Sequence, residues 1–165
     1  MAMDGSAAVA ATELDEAPKA IELLLEHLAD EGVRHIFGVP GGNLVPLYEA
    51  IADRSDMQAV LSKHEEGGAC MADGYARVSR SLGVCCGIAG PGATHALTGV
   101  AGAYADSVPV LFLSGQVATS VFGRGAIQDS TALGVDLVEM FKPVTKLSTM
   151  VVNADSCGRI ARHAI

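Results

Sequence analysis

From Leu82 to Gly123 the chain carries one formally charged side chain, Asp106. A charge-poor run of that length raises the question of a membrane-spanning helix. Its residues argue against one. Gly83, Gly87, Gly90, Pro91, Gly92, Gly99, Gly102, Pro109 and Gly115 interrupt it repeatedly, and no basic cluster flanks it. The remaining solution is a set of strands and helices buried on both sides, as in a parallel sheet covered by helices.

The rest of the chain supports that reading. Ile21, Leu24, Leu25 and Leu28 recur at helical spacing from about Ala17, and Gly32 is placed to end the helix. Apolar runs at 35–39, 57–62, 83–89, 108–114 and 144–151 read as strands. Helical patterns at 44–52, 65–79, 93–105, 136–141 and 154–165 alternate with them. The expectation is a three-layer α/β/α domain with a mostly parallel sheet over residues 17–165, following a flexible acidic segment at 1–16. One domain is what 165 residues hold comfortably. Because the last helical pattern runs to Ile165, the domain is expected to stop before its final strand.

Charge and cysteine usage narrow the partners. Eleven basic against nineteen acidic residues give a net charge of −8, which argues against nucleic acid and anionic lipid. Residues 1–16 have neither a basic start nor a long apolar core, so no secretory signal is expected. Cys70, Cys85, Cys86 and Cys157 form no C-x-x-C pair and read as free thiols, which points to the cytoplasm.

In parallel sheets ligands bind at the carboxyl ends of the strands, which directs attention to loops 39–43, 63–68, 89–95 and 114–129. Glu65 begins a helix, where the helix dipole stabilises an anion. Gly90-Pro91-Gly92 is a glycine-rich turn onto a helix, able to face a phosphate or simply to turn the chain. It satisfies neither standard phosphate-loop pattern. The glycines of Pro40-Gly41-Gly42-Asn43 could admit a ligand to the backbone or serve only the turn. His27, His35, His64, His95 and His163 show no metal-ligand spacing, so no metal site is expected from the chain itself.

In order, the segments Phe37-Gly38-Val39-Pro40-Gly41-Gly42, His64-Glu65-Glu66-Gly67-Gly68-Ala69, Ala72-Asp73-Gly74-Tyr75-Ala76-Arg77, Gly90-Pro91-Gly92-Ala93-Thr94, Asp106-Ser107-Val108-Pro109 and Ser114-Gly115-Gln116-Val117 form a series. That series resembles the N-terminal, pyrimidine-binding domain of thiamine-diphosphate enzymes, closest to the acetolactate synthase group. The resemblance implies that Glu65 is the carboxyl that hydrogen-bonds the cofactor pyrimidine and promotes its imino form. It places Pro40, Gly41, Gly42, Gly90, Pro91 and Gly92 along the cofactor, Gly42 and Asn43 toward the substrate, and Gln128 at the pocket of both. Ser107 falls where relatives approach a flavin, so FAD is possible in a full-length relative. Synthases of that group often have Ser and Asn where this chain has Ala89 and His95, and Phe where it has Ile127.

The family's diphosphate and Mg²⁺ site, a Gly-Asp-Gly motif in a separate domain, has no counterpart in the sequence. The resemblance therefore implies half an active site, inactive alone. Its partner would be the diphosphate-binding domain of another chain or of a C-terminal part, within a homo-oligomer. The alternatives are a non-catalytic scaffold that keeps the fold, and a generic nucleotide-binding α/β domain, which explains the glycine turns but not the ordered series.

Overall fold

The structure is a computed structural model that describes residues 19–165. The acidic segment 1–16 and the first residues expected in the opening helix lie outside the described residues. Among the described residues helices and strands alternate as far as β4, and two more helices follow. These are α1 (Ala20–Asp30), β1 (His35–Gly38), α2 (Val45–Ala52), β2 (Gln58–Leu61), α3 (Glu65–Ser79), β3 (Gly83–Gly87), α4 (Pro91–Ala105), β4 (Val110–Ser114), α5 (Leu137–Phe141) and α6 (Ala154–Ala164). All strand pairs are parallel, in the order β2-β1-β3-β4. The three-layer α/β architecture expected from the sequence is the one observed.

The pleat of the strands divides the interior into two cores, because successive side chains point to opposite faces. Ile36, Val84 and Cys86 face α1 and α2, where they join Leu25, Leu28, Leu44, Leu47 and Ile51. Phe37 and Cys85 face the other way, onto Ala69 and Ala72 of α3, Ala93, Ala96 and Val100 of α4, and Leu137 and Phe141 of α5. The helix ends follow the sequence. After α1, Gly32 adopts a φ of +80° and its amide bonds the Ala29 carbonyl. At the start of α6 the Asn153 side chain accepts the Ser156 amide at 2.9 Å. Pro91 opens α4, where its missing amide costs nothing.

Small residues let α3 lie very close to the sheet. A Cβ on Gly83 would stand 2.2 Å from the Ala72 carbonyl oxygen, and one on Gly68 would stand 3.1 Å from the Gly38 Cα. Across from α3, a Cβ on Gly99 of α4 would meet the Ala69 Cβ at 2.7 Å. The far ends of these two helices are joined by Arg77, which donates to Asp73 one turn back at 3.0 Å and to Asp106 at 2.6 Å. The Asp73-to-Arg77 stretch of the sequence motif thus ties α3 to α4 at the amino end of the sheet.

One expected element is not formed. Residues 144–151 were expected as a strand, but Lys142–Val144 is a 3₁₀ turn continuing α5, and no ladder follows it. Pro143, just before the expected strand, is taken into that turn, where its fixed φ fits. Polar side chains draw the segment back to α5 instead: Thr145 Oγ1 donates to the Phe141 carbonyl and Ser148 Oγ to the Val138 carbonyl, each at 2.8 Å. Among the described residues β4 pairs with β3 on one side and with no strand on the other.

Candidate functional site

The strand order reverses direction between β1 and β3, so the loops that leave these strands diverge and open a crevice at the carboxyl end of the sheet. Ile88, the first residue after β3, fills its floor. A Cβ on Gly41 would lie 2.0 Å from Ile88 Cγ2, and one on Gly92 would lie 2.5 Å from Ile88 Cγ1. Both glycines are therefore demanded by packing on Ile88. At Gly42, by contrast, a Cβ would find nothing within 4 Å, so this is the glycine that faces open space. The two readings left open for the Pro-Gly-Gly turn thus divide between its two glycines.

Glu65 is the first residue of α3, and its side chain lies across the end of β3 and the Gly-Pro-Gly turn, 12% exposed. Its Cγ would be 3.5 Å from a Cβ on Gly87, and its Oε1 3.2 Å from one on Gly92. Glycine at 92 therefore lets Oε1 and Ile88 pack closely against the turn. The other oxygen, Oε2, lies 3.2 Å from His95 Nδ1. His64, the N-cap of α3, accepts the Glu66 amide on Nδ1 at 3.3 Å. Its ring stacks on His95 at a centroid distance of 4.5 Å. Ser62, buried at the end of β2, donates to the His64 carbonyl at 2.8 Å and fixes the entry to the helix.

A second loop closes over the Gly-Pro-Gly turn. Gly90, at φ +68°, abuts Gln128, whose Cβ and Cγ would each lie 3.5 Å from a Cβ there. Gln128 is itself left-handed at φ 64°, a conformation that costs a non-glycine residue about 1–2 kcal/mol. The surrounding loop supplies the constraint that holds it. Buried Ser130 receives the Gly90 amide on its hydroxyl at 2.8 Å, and that hydroxyl donates to the Gln128 carbonyl at 3.3 Å. Gln116 Oε1 accepts the amides of Val117 and Ser130. The Asp129 carboxylate accepts the amides of Gly123 at 2.8 Å and Thr131 at 3.0 Å. These backbone donors, Gly123 first and Thr131 second, hold its pKa below the usual carboxylate range.

The structure brings Glu65, Gly90, Gly92 and Gln128 together, with Gly41 and Gly42 on the opposite wall. Pro40 and Pro91 are exposed turn residues beside them. Asn43 turns inward: its Oδ1 is buried without a hydrogen-bond partner, and a Cβ on Gly115 would come within 2.7 Å of that atom. Asn43 therefore packs the first loop onto the end of β4. Ser107 is elsewhere. It precedes β4 at φ 57°, at the amino ends of the strands, and does not share a ligand surface with Glu65. Sequence reading missed Ile88, His95 and Ser130. Ile88 is an unremarkable apolar residue in the chain, and the partners of His95 and Ser130 lie 30 and 40 residues away.

The family described as "Thiamine pyrophosphate enzyme, N-terminal TPP binding domain" matches residues 18–140. The chain belongs to this family. Its relatives include a probable acetolactate synthase large subunit of Methanocaldococcus jannaschii, 48% identical over 146 residues, covering 88% of this chain and 24% of the relative. The acetolactate synthase isozyme 3 large subunit of Escherichia coli is 40% identical over 143 residues, covering 87% and 24%. The acetolactate synthase large subunit of Lactococcus lactis is 38% identical over 152 residues, covering 92% and 26%. The chain thus spans about a quarter of the length of these relatives. As a TPP-binding domain it presents a largely shielded carboxylate at the carboxyl end of a parallel sheet, against a glycine-rich turn. No helix among the described residues is long and apolar enough to cross a membrane.

Proposed function

We propose that this chain is the pyrimidine-binding half of a thiamine-diphosphate-dependent, acetolactate synthase-like 2-oxo acid decarboxylase and carboligase, inactive by itself. The observation that carries the reading is the placement of Glu65. Its carboxylate is largely shielded, stands at a helix start at the carboxyl end of the sheet, and sets Oε1 against the Gly-Pro-Gly turn. A group of that kind suits a ring nitrogen that must hold or release a proton.

When bound, thiamine diphosphate supplies an acidic thiazolium carbon and an electron sink for loss of CO₂ and addition to a second carbonyl. Glu65 would hold a proton at the pyrimidine ring nitrogen. The Gly90-Pro91-Gly92 turn would bound the ring, kept in place by Ser130 and Gln128. Gly42, facing open space, is the position through which substrate would approach, and Asn43 would brace that loop from behind. The diphosphate and Mg²⁺ would be held by the diphosphate-binding domain of another chain or of a C-terminal part, within a homo-oligomer. FAD, if carried, would meet Ser107 at the amino end of the sheet and not the crevice. The free thiols, with Cys85 and Cys86 buried, suit the cytoplasm.

The test is reconstitution of the chain with a diphosphate-binding domain from a relative, in thiamine diphosphate and Mg²⁺, following 2-oxo acid consumption. Turnover is expected only in the mixture, and Glu65→Gln should lower it by roughly 10²–10⁴-fold. Turnover by the chain alone, or a Glu65→Gln mixture as active as the parent, overturns the proposal.

A further inference from the structure

His64, Glu65 and His95 each offer a ligand atom, and the three atoms lie within 4.8 Å of one another. We infer that they form a site for a transition-metal cation of the Zn²⁺ type. The donor set is two imidazoles and one carboxylate, the combination that holds zinc in sites with an open coordination position. The Glu65–His95 pair already has suitable spacing. Glu65 Oε2 and His95 Nδ1 are 3.2 Å apart. Ligands bound at roughly 2.0–2.2 Å in a tetrahedron stand roughly 3.3–3.5 Å from each other. The third ligand, His64, is exposed, so its ring can turn out of its stack on His95 toward the shared point, giving up a long 3.3 Å contact with the Glu66 amide.

The elements that carry the ligands are fixed relative to one another. His64 and Glu65 open α3, His95 lies in the second turn of α4, and the two helices are locked by the Ala69–Gly99 contact. Both histidines are exposed while the carboxylate is largely shielded, so a cation can enter from solvent and meet a carboxylate that water competes for poorly. The amino-terminal dipole of α3 opposes a cation there. The Glu65 carboxylate, with Glu66 beside it in the same turn, offsets that opposition. A metal on Glu65 would exclude a pyrimidine nitrogen from the same carboxylate. That consequence rests on the cofactor reading above, whereas the metal site does not.

Zn²⁺ alone is titrated into the full chain by calorimetry, with no cofactor present. One saturable equivalent is expected. His95→Asn and His64→Ala should each weaken binding roughly tenfold or more, as loss of a ligand should cost at least as much as loss of a residue supporting one. His163→Ala and Cys70→Ser should leave it unchanged. Circular dichroism checks that each variant is folded, and Glu65→Gln provides an independent third variant. Absence of a saturable equivalent overturns the site. So does binding that survives both histidine substitutions or disappears with Cys70→Ser. A failed titration leaves the cofactor role of Glu65 intact, and a Glu65→Gln enzyme of full activity leaves the metal site intact, so the two readings fail separately.

Discussion

The two faces of the sheet are built by opposite means. On the α1–α2 face the core is made of large aliphatic side chains, with Leu25 and Leu28 fully buried. On the α3–α4 face the helices contribute largely Ala and Gly, with Phe37 and Phe141 buried among them and Phe112 packed against the cluster. Phe112 and Phe141 stack there at a centroid distance of 5.2 Å. The first face gains stability from the volume of its side chains. The second gains closeness: its helix axes approach the strands so nearly that backbone meets backbone. The candidate site grows from the second face, because Glu65 and His95 belong to its two helices. Close approach fixes the position of a helix start more tightly than a layer of flexible leucines would.

Four substitutions or conditions sharpen this comparison. Leu25→Ala should cost about 2–5 kcal/mol by opening a cavity on the aliphatic face, read from the urea unfolding midpoint. Gly83→Ala should cost about 1–3 kcal/mol for the opposite reason, since the added methyl meets the Ala72 carbonyl. A neutral Gly83→Ala would show that α3 can withdraw freely, and the contrast between the faces would break. Ser130→Ala should cost about 1 kcal/mol and speed hydrogen exchange at the Gly90 amide, which loses its acceptor.

The smallest effect is expected from acid. Asp129 has a folded pKa below its unfolded value, because the Gly123 and Thr131 amides bond its charged form. Its contribution is therefore complete above the unfolded carboxylate pKa, about 3.9, and is lost as pH falls through the lower folded value. Exchange at those two amides should rise below about pH 4 in the parent. It should be fast and less pH-sensitive, beyond the intrinsic rate, in Asp129→Asn.

Much of this was legible in the chain, for identifiable reasons. The four strands announce themselves as short apolar runs, three of them closed by Gly or Pro, and the helix between 65 and 79 follows from its small-residue face. Glu65, Gln128 and the glycine turns were found as members of an ordered motif series. What the sequence hid was whatever depends on a neighbour in space. The run at 144–151 has strand-like composition, but a strand exists only when another stands beside it to complete the ladder. Gly41 and Gly42 are adjacent and identical in composition, yet one is packed on Ile88 and the other faces open space. His64 and His95 are separated by 31 positions and carry no spacing signal. Only the packing of α3 on α4 makes them partners.

Cys85 and Cys86 are neighbours in β3, and because a strand alternates, their thiols sit in different cores. Burial raises the pKa of both, so each is unreactive while its face is closed. Cys86 touches the Tyr48 hydroxyl at 3.5 Å beneath α2, and Cys85 lies under α3 and α4. The order in which an alkylating reagent captures these two sulfurs would therefore time-stamp the opening of each layer, giving the domain an internal clock for the sequence in which it comes apart.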